Sequence, residues 1–461
     1  LRATPDDADA RVGLYFALLE SENHDRAYAV VDQWVGNSDM ARKTQSSAAA
    51  NEENWNARVL QARAREYTGE LGASQAMLER LQREAPGSGA VRSGLASVYH
   101  GRGWPRRAWD TWQVQLLHDP DDVDAHAESV YPLLDSYRFE QARQQLNEAG
   151  RRDPDAGSVT RATRAVALHD RPELTIEANL GRSNDASGPS GTRDDMVDAY
   201  LYSAPIHELY RVYAHGHYAQ ADLAGGYGHY NRAGGGLEYR APDLRLNGEV
   251  HAGIDNDGGL GIAAAGRWWI NDIWNVGASG DTRTMDIPLQ ASRARIDARK
   301  MQFEVEARLH ESRVFAAALG GLNFSDDNER RYLQFSWREG WITRPSWWIN
   351  SRVDLYTSHN TRDDAPYFNP ASDWSAALSV TGAWRTYRWY EREFVQELTL
   401  TAGNYWQENF GSGALWGIEY AHRWQLNDAF YLRYALGRSL HPYDGDQSGR
   451  NYLTLDMDWR F

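Results

Sequence analysis

Four groups of residues in this 461-residue chain have the types and spacing that chemistry requires. His215 and His217 stand two apart, on one face if the segment is a strand, and two imidazoles so placed can hold a metal ion. No third ligand accompanies them, so they read as lining residues. Asp444-Gly445-Asp446 resembles the start of a calcium loop but lacks the acidic ligands that should follow. Gly259-x-Gly261 with Ala264 imitates a dinucleotide fingerprint, yet the run alternates like a strand and no helix follows. Acidic pairs are numerous, and none is set apart as a glycosidase pair. The chain has no cysteine, which excludes disulfides, thiol catalysis and cysteine-ligated zinc. The expectation is a protein with no catalytic site, no metal and no cofactor.

The elements that carry these residues change period once. From Glu173 the period is 2. Leu174, Ile176, Ala178 and Leu180 alternate with Thr175, Glu177 and Asn179, and Leu244, Leu246 and Val250 alternate with Arg245, Asn247 and Glu249. Leu453, Leu455, Met457, Trp459 and Phe461 alternate with Thr454, Asp456, Asp458 and Arg460. Such alternation indicates an antiparallel sheet with one apolar face. Turn signals divide the segment into about 16 strands. Short connections (205–208, 241–243, 271–272, 343–346, 427–428) alternate with longer polar ones (183–193, 284–292, 359–372, 441–449), which is the pattern of an outer-membrane barrel. An even strand count leaves both barrel ends on the periplasmic side. The chain carries 19 Trp and 25 Tyr, and these gather where apolar and polar surfaces meet. No run approaches the roughly 20 apolar residues of a membrane helix. A soluble sugar-binding β-sandwich carries the same period and is the alternative.

Before residue 173 the pattern is helical and repeats. Pro86, Pro120 and Pro154 are spaced at the 34-residue tetratricopeptide (TPR) period. Leu95, Ala96, Tyr99, Ala108 and Trp112 take the packing positions of one unit, and Ala142, Leu146 and Ala149 those of the next. Ala62, Leu78 and Leu81 mark an earlier unit, and Leu14, Leu18, Ala27, Val31 and Trp34 another near 8–41. The fold class is therefore α plus β in separate domains: an N-terminal TPR α-solenoid of about 4 repeats, then a transmembrane antiparallel β-barrel. The boundaries read as 1–156 for the repeats, 157–172 for a linker and 173–461 for the barrel. Residues 42–54 read as a polar, flexible insertion. Pro5 sits where a further repeat would end, and the chain opens at Leu1 without an initiator Met, so a longer exported precursor is expected.

Formal net charge is -15, which argues against a nucleic-acid partner. From position 173 there are 38 Asp/Glu and 28 Lys/Arg, a difference of -10. Alternation turns Glu177, Asp198, Glu238, Glu249, Asp354, Glu397, Glu419, Asp456 and Asp458 inward, where their role is electrostatic attraction of a cationic chain. Inward Arg245, Arg267, Arg352 and Arg433 offer the competing reading, in which lumen charges only pair and solvate the wall. Inward Tyr200, Trp269, Tyr356 and Tyr405 are candidates for stacking on sugar faces or for narrowing the pore. In the repeats, Asp119, Asp121, Asp122 and Asp124 form an acidic turn that either meets a cationic polymer or is simply solvated.

A TPR array running into about 16 strands resembles the poly-β-1,6-N-acetyl-D-glucosamine (PNAG) export porins, the PgaA/HmsH family. The local matches are Ala365–Asp373 (APYFNPASD), Phe410–Gly413 (FGSG), His441–Asp446 (HPYDGD), Gly191–Asp195 (GTRDD) and the closing Trp459-Arg460-Phe461. They cover the barrel, while the repeats match by architecture alone. The resemblance implies an outer-membrane porin, not an enzyme, that exports a partly deacetylated PNAG exopolysaccharide for biofilm. It also implies a periplasmic TPR segment that handles polymer or a periplasmic deacetylase. Outer-membrane lipid is the surrounding partner, and one closed barrel per chain suggests a monomer. An exporter of another exopolysaccharide, of the cellulose or alginate type, is the alternative within the class. An anionic cargo would favour an Arg-rich lumen.

Overall fold

Each proline of the 34-residue series stands two residues past the end of a helix, where the missing N–H cannot continue the ladder. The structure, a computed structural model, describes residues 7–45, 47–183, 188–254 and 259–461, so Leu1 and Pro5 lie outside it. Ten helices among these precede the sheet: α1 (Ala8–Glu20), α2 (His24–Gln45), α3 (Ala48–Tyr67), α4 (Leu71–Glu84) and α5 (Gly89–Gly101), then α6 (Pro105–His118), α7 (Val123–Glu128), α8 (Val130–Asp135), α9 (Phe139–Arg152) and α10 (Gly157–His169). Pro86, Pro120 and Pro154 follow α4, α6 and α9. Asp7, Ser47, Ser88 and Asp122 are N-caps whose side chains accept from the backbone three residues on.

Small residues set the helix spacing. Ala27 and Ala64 pack with Tyr15, Leu18 and Val31. Ala62 and Ala108 pack with Val59, Leu78, Leu81, Val91, Leu95, Val98 and Tyr99. Alanine at the closest approach lets backbones touch while leucine and valine fill the groove. Four hairpins result: α1–α2, α3–α4, α5–α6, and α7–α8 with α9.

Two expectations change here. Residues 42–54 are not a flexible insertion: apart from Ser46, outside the described residues, and Ser47, the cap, they complete α2 and begin α3. The Ala and Glu content favours helix, and Asn54 is buried, donating to Ser38 Oγ at 3.2 Å and to Asp39 at 2.7 Å. The 157–172 stretch, read as a linker, contains α10. Val159, Ala162 and Val166 form its buried stripe at helical spacing.

Sixteen strands follow among the described residues. The first eight are β1 (Glu173–Ser183), β2 (Arg193–Tyr202), β3 (Tyr210–Leu223), β4 (Gly226–Ala241), β5 (Leu244–Gly253), β6 (Leu260–Trp269), β7 (Trp274–Asp281) and β8 (Ala298–His310). The rest are β9 (Arg313–Phe324), β10 (Glu329–Thr343), β11 (Trp347–Asn360), β12 (Ser372–Trp389), β13 (Arg392–Gln407), β14 (Gly411–Asn427), β15 (Phe430–Tyr443) and β16 (Asp446–Arg460). A short helix, α11 (Leu289–Arg293), lies between β7 and β8. Consecutive strands pair antiparallel and β16 pairs β1, closing the barrel. Closure removes both sheet edges and rules out the β-sandwich. The Gly259-x-Gly261 run leads into β6, as its alternation requires.

The apolar face is outward. Val212, Leu237, Leu246, Ile262, Phe303, Leu319, Leu333, Leu400 and Ile418 are exposed, while the intervening positions of β3, including Arg211, Tyr213, His215 and His217, are buried. The reverse holds in a soluble barrel, so this face is made for lipid. The turns at the end where β1 begins are short. The long connections 282–297 and 361–371, and the described residues 188–192, are at the other, distal end. The expected loop 441–449 is instead a hairpin. Tyr443 pairs Asp446 across a two-residue turn at Asp444 (φ 49) and Gly445 (φ 87), the left-handed pair a type I′ turn demands.

By contact density the chain forms two units. Among the described residues, one takes in 7–133, 144–160 and 343–346, and the other 134–143, 161–342 and 347–461.

Candidate functional site

Strand register puts all nine expected acidic residues on the lumen face. Glu177 stands opposite Asp198 on β2 and Asp456 on β16, so three carboxylates lie side by side across β2, β1 and β16. Asp458 is the next inward position along β16. Like charges directly opposite repel, and the neighbours decide which are compensated. Asp198 accepts from His217 Nδ1 at 2.8 Å and from His215 Nε2 at 3.2 Å. Asp456 has Arg433 at 3.6 Å. Glu177 and Asp458 are exposed and make no ion pair among the described residues.

The remaining five carboxylates each have a cation within 4 Å, in part a shared one. Glu238, 1 % exposed, accepts from Arg211 Nε and Arg245 Nε, each at 2.6 Å, with Arg240 at 3.5 Å. Glu249 takes His215 Nδ1 at 2.9 Å and Arg232 at 3.5 Å. Asp354 pairs with Arg352 at 2.8 Å. Glu397 and Glu419 share Arg433, at 3.2 and 2.6 Å. Arg267 goes to Glu304 at 2.6 Å. The uncompensated lumen charge therefore concentrates on the β16–β1–β2 wall. The His215–His217 pair is part of a carboxylate network, with both imidazoles held by Asp198 and Glu249.

The four aromatic candidates also face the lumen, each already in contact with protein. Tyr200 stacks on His215 with centroids 4.0 Å apart. Trp269 meets the edge of Tyr137 at 5.5 Å. Tyr356 lies against Tyr332 at 6.3 Å. Tyr405 donates to Asp373 at 3.0 Å.

Two distal loops fold into the mouth of the lumen, which alternation alone does not reveal. Ile287, Ala291 and Ile296 of loop 282–297 form one apolar core with Tyr367 of loop 361–371 and with Ala298, Leu322, Phe324 and Tyr332 of the wall. The Tyr367 ring stacks on Phe324 at 4.9 Å. Buried Asn328 donates to Asn369 Oδ1 at 2.9 Å and to Tyr367 Oη at 3.0 Å. Phe368 N donates to Gln290 Oε1 at 2.7 Å, tying the loops together.

At the other end of the same unit, Tyr137 adopts φ 58, and burial raises its phenol above the usual range. His169 stacks on Phe139 at 4.2 Å. Burial, with Arg240 and Arg143 nearby, pulls the His169 imidazole down to about 4. His169, Asp170 and Glu208 bring their ligand atoms together. However, Arg143 hydrogen-bonds both carboxylates, at 2.5 Å to Asp170 and 2.7 Å to Glu208, and so occupies the groups a cation would need.

A folded pKa near 4 against an unfolded value near 6.5 favours neutral His169 in the folded state. Its contribution, at most about 3 kcal/mol, is present above pH 6.5 and lost as pH falls towards 4. Amide protection factors across 161–169, with the intrinsic pH dependence of exchange divided out, are expected to fall between pH 7 and pH 4.5, and to fall less in H169F. Identical pH dependence in the variant would refute this.

The acidic turn of the repeats is largely engaged in structure. Asp122 caps α7, accepting from Ala125 N at 2.9 Å, and accepts from Gln115 at 2.8 Å. Asp124 accepts from Ser158 at 2.6 Å, Asp121 pairs with Arg152 at 3.1 Å, and Asp119 accepts from Asp121 N at 3.3 Å.

A closed 16-strand barrel with a lipid-facing apolar exterior and charged lumen, preceded by helical hairpins, is an outer-membrane β-barrel with a helical-repeat segment. A family model described as the PgaA membrane beta barrel domain matches residues 168–461, and the chain belongs to that family. Two curated relatives named poly-beta-1,6-N-acetyl-D-glucosamine export protein, from Escherichia coli strain K12 and from Escherichia coli O157:H7, are each 26% identical over 462 aligned residues. These alignments cover 99% of this chain and 57% of the relatives, so the chain spans little more than half their length. A solved structure titled bacterial polysaccharide outer membrane secretin matches with a TM-score of 0.60 at 26% identity, over 64% of this chain and 99% of that one.

Proposed function

We propose that this chain exports a partly deacetylated, cationic PNAG exopolysaccharide through its barrel to the cell surface for biofilm. The observation that carries this reading is the carboxylate row of Glu177, Asp198 and Asp456 with Asp458, of which Glu177 and Asp458 have no ion-pair partner among the described residues. Deacetylation leaves an amine on each modified sugar, and a wet wall of uncompensated carboxylates attracts such a chain without fixing it. The names of the E. coli relatives support PNAG as the cargo. A role for the helical segment in handling polymer or a periplasmic deacetylase rests on the family resemblance, and action as a monomer on one closed barrel per chain. The paired aromatics Tyr200, Trp269, Tyr356 and Tyr405 guide sugars only where their present partners give way.

Single-channel recording of the purified chain in a planar bilayer tests this. Cation-selective conductance blocked by partly deacetylated β-1,6-glucosamine oligomers, and not by fully acetylated ones, is the expected result. An anion-selective pore would move the cargo to an anionic polymer of the alginate type. Equal block by both oligomers would move it to a neutral one.

A further inference from the structure

The lipid-facing surface carries a charge pattern that export does not use. On β15, β16, β1 and β2 the register pairs Arg438 with Asn451, Asn451 with Arg182, and Arg182 with Arg193. These four side chains form one row on the outward face. The next row towards the other end of the barrel is Leu436, Leu453, Leu180 and Asp195, and beyond it come Tyr434, Leu455, Ala178 and Val197. The arginines therefore cap an apolar column at its distal edge, where acyl chains give way to headgroups.

Asp195 organises the row. It is 6% exposed, accepts from Arg182 Nη1 at 2.9 Å and Arg193 Nε at 2.8 Å, and is held by Gln220 at 2.9 Å. Both guanidiniums remain about half exposed, at 54% and 48%. Arg438 is exposed and donates only weakly, at 3.3 Å, to Asn451. Asp222 flanks the row on β3. Counting it, the row keeps a surplus of positive charge on a barrel segment whose net charge is -10.

We infer that Arg182, Arg193 and Arg438 form a binding site for the phosphates of an outer-leaflet glycolipid. The row spans three strand spacings, about 14 Å, enough to engage two phosphates on one headgroup. Guanidinium is the side chain best matched to phosphate, because its planar donors bind two oxygens at once. The apolar column below receives the acyl chains, so one lipid is held by both halves. The cargo proposed for the lumen is cationic and would be repelled here, so the site is separate from the export path and does not depend on that reading.

Native mass spectrometry of the detergent-purified chain, incubated with bis-phosphorylated lipid A or with the same lipid stripped of phosphate, tests the proposal. The wild type is expected to retain the bis-phosphorylated lipid, and raised salt to weaken retention. The variant R182Q/R438Q leaves the Arg193–Asp195 pair in place and should bind it at least tenfold more weakly. R299Q, which removes another exposed outward arginine on β8, should bind as the wild type does. Heat-modifiable gel migration confirms that each barrel is folded. Equal retention of the phosphate-free lipid, unchanged binding by R182Q/R438Q, or an equal loss in R299Q would overturn the assignment.

Discussion

The double substitution E177Q/D458N is expected to weaken block by cationic glucosamine oligomers by roughly a hundredfold and to lower cation selectivity. Two unit charges about 4 Å apart interact by about 1 kcal/mol in bulk water and about 4 kcal/mol near a protein surface. A wet lumen lies towards the low end, so each carboxylate is worth roughly tenfold in affinity. Glu177 and Asp458 are the positions to change because both are exposed and lack ion-pair partners among the described residues. Both replacements keep size and hydrogen-bonding capacity, so wall packing survives. The effect should shrink at high salt, since exposed charges are screened beyond about 10 Å at 0.1 M. Unchanged block in the double variant, measured at low salt, would move the attraction elsewhere in the lumen. E238Q is the contrasting case. It removes the buried charge that Arg211 and Arg245 share, leaving buried Arg211 with Glu173 alone, so its expected cost of up to about 3 kcal/mol falls on folding, read as loss of heat-modifiable barrel.

Y367A is expected to raise single-channel conductance several-fold and make it noisy. The Tyr367 ring is the piece of loop 361–371 that enters the core shared with Ile287, Ala291 and Ile296 of loop 282–297. Removing a buried ring costs about 3–5 kcal/mol, more than an isolated loop can recover from its few other contacts. Asn328 would lose one of its acceptors as well. The sixteen-strand ladder does not depend on this core, so the melting of the barrel should be nearly unaffected. The two readouts separate plug from scaffold: a Y367A channel with wild-type conductance would mean these loops do not restrict the lumen.

Much of this architecture is written in local pattern. The 34-residue spacing of Pro86, Pro120 and Pro154 marks helix ends directly, because proline cannot extend a helix whatever surrounds it. The change to period 2 at Glu173 coincides with the first residue of β1. Since a pleated strand alternates faces by covalent geometry, the inward set could be assigned without knowing any neighbour. Residues 42–54 carry no such local mark, because a polar composition permits either a loop or a solvated helix. Burial of Ala50 and Asn54 against other helices settled it. The hairpin at Asp444-Gly445 carries the Asp-Gly signal of a two-residue turn within polar flanks that resemble a loop.

Alternation determined which side chains face the lumen, and register determined which of their charges are cancelled. Arg433 reaches Glu397 two strands away and Glu419 on the next strand, whereas Glu177 meets only other carboxylates across the ladder. No linear pattern contains that difference, because it depends on pairings such as Glu177 with Asp456, from opposite ends of the barrel segment, that exist only once β16 closes on β1. The plug is of the same kind. Ile287, Ile296 and Tyr367 lie in polar stretches that read as exposed loops, and long-range apolar contact with Leu322 and Phe324 is what draws them into the mouth of the barrel.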